Sequence, residues 1–336
     1  MTPHALRRSL ARLAVSAVAT IAAVELALML LAPEGGPLGV VQIFAPHLAI
    51  MALGLIPVAF IDRRRSGAWS VGTLVLVTLF RFGGDWLSLP AMSPTDSVRL
   101  EVVTWNVEVR SRPGTTTAAQ LEATGADVIG LQELQSDAAA AIESDSVLRA
   151  RYPYRLLRPD AGVLGLGLLS RFPLADESFT LDPAIQRAVV DLAGGTRLPI
   201  INTHPLHADI ASLASTRLPI GLDLIQRDAD LVAIRDAFDV RAASGTPVVL
   251  LGDLNTAASE PAFGRLVRGL RDVHAEVGLG TGWTWRPIRL EFLGLGLLRI
   301  DHVIVSPDVT PLAIGETCPA IGDHCLVHAT VAVADG

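Results

Sequence analysis

The sequence predicts an α/β domain with mixed or mostly antiparallel sheets covered by helices, preceded by a separate apolar region. Strand-like and helix-like patterns alternate from Val98 onwards. Gly194-Gly195 joins two of the strands as a hairpin, which indicates antiparallel pairing. Long apolar runs are confined to the first 94 residues. The roughly 240 residues that follow are enough to bury two stacked sheets.

The charge distribution separates the same two parts of the chain. The 336 residues are 50% hydrophobic, and the mean hydropathy of +0.45 is high for a soluble enzyme. Only four of the 34 acidic residues and seven of the 27 basic residues lie in the first 94, so the remainder, with 30 acids and 20 arginines, has a net charge of −10. An acidic domain without a basic stripe argues against a general nucleic-acid coat, although a nuclease whose acids bind a metal remains open.

Three apolar runs make up the first part, and we predict about three transmembrane helices from them. Two runs are long enough to cross a hydrocarbon core of about 30 Å, and the third is short, with an interfacial or core helix as its alternative. The runs are Leu13–Pro33, Pro37–Ile61 and Ala68–Phe80, the last extended to a span over 67–82. The predicted division is a membrane region over 1–92, a linker over 93–97 and a catalytic domain over 98–336.

Flanking arginines predict the orientation of these spans. Arginines precede the first run, and Arg63–Arg65 follow the second, which places both segments in the cytoplasm by the positive-inside rule. A third crossing puts the domain outside the cytoplasm, whereas two spans would leave it inside. Glu25 and His47 lie within the first two runs, either as a functional pair or as a neutral Glu and a His at a helix contact.

The domain's elements follow from local patterns. β-branched and apolar runs predict strands, threonines or a serine cap open the helices, and glycines mark turns. Predicted strands are Val98–Val107, Asp127–Leu134, Gly165–Ser170, Arg187–Leu192, Arg197–Thr203, Pro247–Leu251, Ile300–Ser306, Leu312–Glu316 and Cys325–Ala334. Predicted helices are Thr115–Thr124, Ser136–Arg151, Asp223–Ala243 and one that starts near Ser259.

Acids, amides and histidines stand just past several of these strands. They occur in Trp105-Asn106, Gln132-Glu133, Thr203-His204, Gly252-Asp253-Leu254-Asn255, Arg299-Ile300-Asp301-His302 and Gly322-Asp323-His324. Side chains delivered from the ends of many strands can together hold one hard cation and one phosphate ester. Any one of these short motifs is weak evidence for such a site, but six of them in this order are strong evidence.

The residue types fit phosphodiester hydrolysis with a bound divalent metal, Mg²⁺ or Mn²⁺. Such a cation takes oxygen ligands, for which Asn106, Glu133 and Asp323 are suitable. Asp253 is placed to hold or deprotonate water, and Asn255 to orient water or a phosphate oxygen. The remaining roles are donation to phosphoryl oxygens by His204 and His324, and orientation of the His324 ring by Asp301.

Each residue also has a structural interpretation. Asp253 and Asn255 could form a turn that caps the next helix, and Glu133 could be a surface residue at a strand end. Trp105 is expected to pack in the core. Four histidines have no strong claim to the site: His207, His274, His302 and His328. Cys318 and Cys325, which bracket Asp323-His324, are either a disulfide typical of an oxidising compartment or two thiols.

The ordered motifs, with Ser170-Arg171 and Asn202 included, resemble the endonuclease/exonuclease/phosphatase (deoxyribonuclease-I-like) superfamily over about residues 98–334, and the chain looks like a membrane-anchored member. The resemblance implies a four-layered α/β sandwich of two mixed sheets flanked by helices. It also implies that Asn106, Glu133 and Asp323 belong to the metal site and that Asp253, Asn255, His204, Asp301 and His324 are catalytic. Glu108 falls where some members carry a further acid.

The function expected from residues and resemblance together is a membrane-anchored, metal-dependent phosphoesterase that cleaves phosphodiesters. Its substrate is a nucleic acid, a phospholipid headgroup or a small phosphodiester, and its other partner is the lipid bilayer. The apolar connection Arg286–Arg299 favours a lipid headgroup or small phosphoester over duplex DNA, unless it is a buried strand. The alternatives are a catalytically silent phosphate-binding or sensor module, and a transporter that uses Glu25 and His47. No protein partner is inferred.

Overall fold

A computed structural model describes residues 3–61, 65–88, 97–107, 114–213, 218–242, 245–287, 289, 292, 294–320 and 322–334. The predicted linker lies almost wholly outside these ranges, as does Glu108. The chain forms two compact units. One comprises residues 1–87 with two short segments, 209–223 and 259–261. The other comprises residues 88–208, 224–258 and 262–336.

The first unit is built mainly from four helices. They are α1 (Pro3–Leu31), α2 (Gly36–Ile43), α3 (Ala45–Ala59) and α4 (Arg65–Trp86). Two helices, over Ala5–Leu31 and Arg65–Trp86, are long and apolar enough to cross a membrane, and α2 with α3 makes a third candidate if the bent pair counts as one span. The third apolar run is therefore part of a longer helix than its sequence indicated.

The second apolar run is broken rather than straight. Helices α2 and α3 meet at Phe44 with a bend of 54°. Pro46 lies in the first turn of α3, where its missing N–H costs nothing, and it disfavours the continuation of a helix through the residues before it. The run is thus two helices with a shared cap.

Small residues and one ion pair hold these helices together. Ala14, Val18 and Ala22 of α1 are buried at helical spacing, as are Ala49 and Ala52 of α3, and small side chains let helix backbones approach closely. The buried Glu25 carboxylate accepts a hydrogen bond from Arg81 of α4, which also donates to Gln42 over 2.8 Å. Glu25 is therefore paired with Arg81 rather than with His47.

A hairpin completes the first unit. It consists of β8 (Asp209–Leu213) and β9 (Leu218–Asp223), which are antiparallel, and no strand was predicted there. Gly36, at the start of α2, forms an antiparallel bridge with Leu222. The hairpin therefore packs its backbone against the beginning of the second helix.

The second unit contains two six-stranded mixed sheets. The first has the order β13-β14-β1-β2-β4-β3, and the second has the order β11-β12-β10-β7-β6-β5. Strands β1 and β2 are parallel, as are β7 and β10, while the other pairs are antiparallel. Their bounds are β1 Ser97–Asn106, β2 Val128–Gln132, β3 Tyr154–Arg158, β4 Leu166–Ser170, β5 Leu174–Leu181, β6 Ala184–Asp191, β7 Arg197–His204, β10 Val249–Asp253, β11 Arg271–Asp272, β12 Asp301–Val305, β13 Val309–Thr317 and β14 Leu326–Ala334.

The second unit also contains the helices α5 (Gly114–Thr124), α6 (Ser136–Ser144), α7 (Ser146–Arg151), α8 (Ile225–Ala242), α9 (Pro261–Leu266) and α10 (Val273–Val277). Helices α5 to α7 pack on the outer face of the first sheet and α8 and α9 on that of the second, whereas α10 places Val273 in the core between the sheets. One apolar core lies between the sheets, with Leu100, Leu251 and Val303 among its members, and two more lie between a sheet and its helices. The predicted four-layered sandwich is confirmed.

Local chemistry explains two departures of the observed elements from the predicted ones. The predicted helix Ser136–Arg151 is two helices, because the Asp145 side chain accepts hydrogen bonds from the Val147 and Leu148 amides and so starts a new helix. Strands β3 and β5 were not predicted, and both are edge strands with few fully buried positions. An edge strand needs less apolar sequence than a central one, so its pattern is weaker.

Strand register gathers the ends that carry polar residues. Asn106 pairs with Gln132 at the end of β1 and β2, and Asp253 pairs with Asp301 where β10 ends and β12 begins. Gly252 lies beside Thr203, one residue before His204. A Cβ on Gly252 would lie 2.0 Å from the Thr203 carbonyl oxygen, so only glycine allows this approach.

Candidate active site

The carboxylate of Asp253 is the centre of the polar cluster. It is 1% exposed, and its Oδ1 accepts a hydrogen bond from the Asn255 amide over 2.9 Å. Its Oδ2 accepts from Asn106 Nδ2 over 2.9 Å and lies 3.4 Å from His204 Nε2 and 3.6 Å from His324 Nε2. One oxygen is therefore fixed by the backbone, and the other faces an amide and two imidazoles.

Asn106 connects Asp253 to Glu133. The Asn106 Nδ2 group also donates to Glu133 Oε1 over 3.0 Å, which directs its Oδ1 away from both carboxylates. The Glu133 side chain is 17% exposed, so this acid lies at the rim of the cluster. The buried Asn106 amide oxygen and the partly exposed Glu133 carboxylate are oxygen ligands of the kind that a hard cation takes.

Two site residues adopt backbone conformations that are rare outside glycine. Glu133 has φ of 52° and Asn255 has φ of 48°. Left-handed backbone at a non-glycine residue is strained, especially for Glu, and such strain clusters at functional sites. Glu133 directly follows β2, and Asn255 lies two residues after β10, so both conformations occur where strands end at the polar cluster.

His204 is held from its far side. Its Nδ1 donates to the Val163 carbonyl over 2.9 Å, because a carbonyl can only accept, and this places Nε2 in the cluster. Nε2 lies 3.1 Å from Asn255 Nδ2 and 3.9 Å from Glu133 Oε1, while the Asn255 amide also donates to the Pro205 carbonyl. The ring is buried, so its orientation is fixed before any ligand binds.

Asp301 and His324 form a buried acid–histidine pair. His324 Nδ1 lies 2.9 Å and 3.1 Å from the two Asp301 oxygens, and its Nε2 faces Asp253. Asp323 Oδ1 lies 4.0 Å from the same Nε2. A disulfide between Cys318 and Cys325 closes the loop that carries Asp323-His324, which decides between the two expectations for these cysteines.

The charges in the cluster shift each other's titration. Burial alone would lower the pKa of His324, but the charges of Asp301 and Asp253 outweigh it and raise the pKa to about 10. Burial alone would also lower the pKa of His204, but the hydrogen bond to Asp253 and the Asp253 charge outweigh it and raise this pKa above its ordinary value. Burial would raise the pKa of Asp253, yet the positive charge of His324 and the hydrogen bonds from His204 and Asn106 lower it below its ordinary value. At neutral pH an anionic Asp253 therefore faces a cationic His324.

The eight predicted site residues form one connected set. Contacts link Glu133, Asn106, Asp253, His204 and Asn255 on one side, and His324, Asp301 and Asp323 on the other. Trp105 is fully buried, as expected for a packing residue. The catalytic and metal-binding roles of the eight stay predictions, now with a geometry in which they can act together.

Sequence patterns missed several residues that support the set. The Thr284 hydroxyl accepts from the Asp301 amide over 3.2 Å, and Trp285 Nε1 donates to Asp323 over 3.3 Å. The buried Arg227 donates to the Asn255 carbonyl over 3.2 Å. Thr284 and Trp285 lie in an irregular segment with no strand-end pattern, so only the fold reveals them. Arg227 could have been found from the sequence, because it is a charged residue on the face of α8 that is buried.

His302 is a further supporting residue that was left without a role. Its Nε2 donates to the Thr256 carbonyl over 3.0 Å, just past Asn255. Burial, together with the charge of Arg299, lowers the pKa of His302 to about 3, so the ring is neutral and its second nitrogen faces Arg299 Nη1 at 3.5 Å. The ring also stacks on Phe263, with centroids 4.3 Å apart. His302 therefore fixes the loop that follows Asp253.

The donor set fits a hard divalent cation. Among the described residues, Asp253, Asp301 and His324 can each place a ligand atom within 4.8 Å of the others. His324 has one ring nitrogen on Asp301 and the other facing Asp253, and as a cation it cannot ligate a metal. Oxygen atoms of Asn106, Glu133, Asp253 and Asp323 remain as the better ligands, in agreement with the preference of Mg²⁺ and Mn²⁺ for oxygen.

Comparison with protein families identifies the family to which this domain belongs. The model of the Endonuclease/Exonuclease/phosphatase family matches residues 103–324, which contain all eight site residues. No curated protein matches the sequence.

Solved structures share the fold at low sequence identity. An endonuclease/exonuclease/phosphatase from Beutenbergia cavernae is 19% identical, with a TM-score of 0.51 over 70% of this chain and 72% of its own. A family protein from Bacteroides thetaiotaomicron is 14% identical, with a TM-score of 0.56 over 71% and 99%. The 3′ phosphatase NExo from Neisseria, bound to product DNA hairpin, is 22% identical, with a TM-score of 0.53 over 68% and 98%.

Proposed function

Because this chain belongs to the endonuclease/exonuclease/phosphatase family of metal-dependent phosphoric-ester hydrolases, we propose that it cleaves phosphodiester bonds as a membrane-anchored enzyme. The observation that carries the proposal is the ionised Asp253 between two imidazoles, with the buried Asn106 amide beside it and the partly exposed carboxylates of Glu133 and Asp323 at the rim. Asp253 can accept a proton from water, and the side chains in contact with it can donate hydrogen bonds to phosphoryl oxygens.

Asp253 is proposed to orient the attacking water. Its Oδ1 is occupied by the Asn255 amide, so Oδ2 is the atom that accepts a hydrogen bond from water. The lowered pKa of Asp253 makes it a weak base but a permanent anion, which suits positioning of the water more than early proton removal. The water oxygen bonds to phosphorus as the opposite P–O bond breaks, and the water proton moves towards Oδ2.

The two histidines are proposed to stabilise charge on the phosphoryl group. His324 is cationic, and its Nε2–H faces the same space as Asp253 Oδ2, where it can donate to a phosphoryl oxygen. The Nδ1–H of His204 is held by the Val163 carbonyl, so the protonated ring, favoured by its raised pKa, can donate from Nε2 to an oxygen or protonate the leaving alkoxide. Asn255, beside His204, can donate to another phosphoryl oxygen.

A divalent cation, Mg²⁺ or Mn²⁺, would neutralise phosphoryl charge and stabilise the leaving oxygen when bound. Glu133, Asp323 and the Asn106 Oδ1 would hold it, with Asp253 near by. Asn106 and Glu133 lie at the ends of β1 and β2, and Asp323 lies in a loop closed by a disulfide, so ordered elements carry all three side chains.

Membrane anchoring and orientation are also part of the proposal. The apolar helices α1 and α4 support anchoring, and the flanking arginines support a cytoplasmic N-terminus. Three crossings then place residues 98–336, as the catalytic domain, outside the cytoplasm. The disulfide between Cys318 and Cys325 is compatible with an oxidising exterior.

The test uses the full chain in detergent with bis-p-nitrophenyl phosphate, plasmid DNA, RNA and phospholipids as substrates. We expect cleavage with Mg²⁺ or Mn²⁺, loss of cleavage in EDTA, and a fall in kcat of roughly 10²–10⁴-fold in Asp253→Asn. Asp239→Asn is the matched control, because that side chain is 51% exposed and lies on α8. Metal-stimulated turnover that survives Asp253→Asn would contradict the mechanism, and a folded chain without any turnover would favour the silent binding module.

A further inference from the structure

A groove lies on the outer side of the second sheet, between α8 and the strands β5 and β6. Its lining residues are Ser178, Arg187, Ala233, Asp236, Ala237, Val240 and Arg241, all of which belong to the second unit. The α8 members recur every three or four residues, so one face of that helix forms one wall. The groove is open to solvent, and its volume of about 610 Å³ lies in the range of sites that bind small molecules.

The alternation of side chains along β6 places Arg187 on this outer face. Ile185, two residues earlier, packs between the second sheet and its helices, whereas Ala188 packs in the core between the sheets. Side chains two residues apart on a strand share a face. His204, at the end of the neighbouring strand β7, shares its face with Ile200, which lies in the core between the sheets. The groove and the catalytic cluster therefore belong to opposite faces of the second sheet.

The groove holds two arginines that lack an acidic partner. Arg187 comes from β6 and Arg241 from the last turn of α8, and both side chains are half-buried. Among the residues that the structure describes, no carboxylate oxygen lies within 4.0 Å of either guanidinium group. The hydroxyl of Ser178, the cross-strand neighbour of Arg187, accepts from Arg187 Nη1 over 3.5 Å. Most of the N–H donors of the two arginines are thus left for solvent or a ligand to satisfy.

The two guanidinium charges act on each other. Partial burial of Arg187, followed by the positive charge of Arg241, lowers the pKa of the Arg187 guanidinium. Like charges in a partly dehydrated groove repel, so both cations are less stable there than in open water. An oxyanion between them would remove this repulsion, because the planar fork of a guanidinium matches the oxygens of a carboxylate or a phosphate.

The other lining residues limit which anion fits. Asp236 is exposed and contributes one negative charge against the two positive charges of the arginines, so the lining has a net charge of +1. That charge balances one oxyanion group rather than a polyanion. Ala233, Ala237 and Val240 supply small apolar side chains along the α8 wall, and Val240 is 75% exposed. A ligand with one oxyanion group and an apolar body therefore matches the groove.

We propose that this groove is a second ligand site, which binds a small organic anion with its carboxylate or phosphate group between Arg187 and Arg241. The apolar body of the ligand lies along Ala233, Ala237 and Val240. Binding uses ion pairs, hydrogen bonds and apolar contact, and no covalent bond forms or breaks. The site is independent of the proposed hydrolysis, since it needs neither the residues around Asp253 nor a metal ion.

The first test measures binding by isothermal titration calorimetry to the full chain in detergent, freed of metal ions by a chelating resin. The probes are benzoate and phenyl phosphate, which share an apolar ring and differ in the oxyanion, with benzylamine as the cationic counterpart. We expect the anions to bind, the tighter one identifying the preferred oxyanion, and benzylamine not to bind. Arg187→Gln and Arg241→Gln should each weaken anion binding about tenfold. Arg268→Gln is the matched control, because Arg268 is exposed after α9 and outside the lining.

The second test locates the ligand without a change to either arginine. Val240→Cys places a thiol in the groove, and Val232→Cys places one at a position of α8 that is 62% exposed and outside the lining. The native cysteines form a disulfide, so the introduced thiol is the group that iodoacetamide alkylates. We expect a saturating concentration of the preferred anion to slow alkylation of Val240→Cys several-fold and to leave that of Val232→Cys unchanged.

The two tests together separate the groove from the catalytic cluster. Protection of Val240→Cys, with weaker binding in both arginine variants, supports the second site. Unchanged affinity in both arginine variants, or an equal loss in Arg268→Gln, would overturn it. Anion binding that leaves Val240→Cys fully reactive would place the anion elsewhere and overturn it as well. Benzylamine binding as tight as that of the anions would overturn the ligand class, and no binding of either anion at millimolar concentrations would overturn the whole inference.

Discussion

At the scale of single residues, the site depends on a balance of buried charges. Asp253 and Asp301 are two buried carboxylates, and the imidazolium of His324 lies between them. An isolated buried carboxylate would be costly, so each ion here is stabilised by its neighbours. Removal of the Asp301 charge therefore acts most directly on the charge state of His324.

We predict that Asp301→Asn shifts the pH dependence of activity. The pKa of His324 is raised to about 10, so the cation persists through pH 9 in the unsubstituted chain. Without the Asp301 charge and hydrogen bond, burial is opposed mainly by the charge of Asp253, so the pKa of His324 falls and the cation is lost at lower pH. We expect the alkaline limb of the kcat profile to move to lower pH and kcat at pH 8 to fall roughly tenfold or more.

Asp308→Asn is the control, since Asp308 is an exposed acid in the turn after β12. Its kcat profile should match that of the unsubstituted chain. If Asp301→Asn lowered kcat equally at every pH, with no movement of the alkaline limb, the acid would act on the fold rather than on the His324 charge.

At the scale of elements, the site is assembled by loops that are fixed at several points. The loop that carries Asp323 and His324 is closed by the disulfide Cys318–Cys325. The buried Arg286 donates to the Pro319 carbonyl over 2.7 Å, and its amide donates to the Asp323 carbonyl over 2.9 Å. The disulfide is thus one of several restraints on the position of His324.

We predict that Cys318→Ser with Cys325→Ser lowers stability and activity together. Removal of a cross-link over eight residues costs about 2–3 kcal/mol in the loop-entropy account. For a domain of this size, that corresponds to a fall in Tm of roughly 5–10 °C. We expect kcat to fall several-fold because Asp323 and His324 lose a restraint, and thermal unfolding with a kinetic assay measures both.

Reductant provides the control for this prediction. Dithiothreitol should lower the Tm of the unsubstituted chain and leave that of the double serine variant unchanged. A double variant with unchanged Tm and kcat would mean that the hydrogen bonds of Arg286 are sufficient to hold the loop.

At the scale of the whole molecule, the two units differ in composition and in the forces that stabilise them. The helices of the first unit pack through small side chains and a buried Glu25–Arg81 pair. In the second unit, one apolar core lies between the sheets and two lie between a sheet and its helices. A buried ion pair is costly to break because either partner alone would be an uncompensated buried charge, so it fixes how α1 and α4 associate within the first unit.

We predict that the N-terminus and the catalytic domain lie on opposite sides of the membrane. Cysteines are introduced one at a time, as Ser9→Cys near the N-terminus and as Asp239→Cys on α8, both exposed positions. An impermeant maleimide should label Asp239→Cys in intact cells and should label Ser9→Cys only after the membrane is opened. Labelling of both, or of neither, in intact cells would exclude three crossings.

Much of the site could be predicted from the sequence because its chemistry is local to strand ends. Asn106, Glu133, His204, Asp253 and Asp301 each lie within one residue of the end of a predicted or observed strand. Apolar alternation fixes which residues are strands, and the break in alternation marks where the polar groups emerge. The charge contrast between the two parts of the chain likewise needed no coordinates.

Only the tertiary structure decided which of these groups touch and what supports them. The pairing of Asp253 with Asp301 across β10 and β12 and the contact of Glu25 with Arg81 depend on partners distant in sequence, and no local pattern indicated the positive φ of Glu133. The hairpin β8–β9 and the support from Thr284, Trp285 and Arg227 were likewise absent from local patterns. Periodicity reports which face of an element is buried, whereas register and long-range packing determine what that face meets.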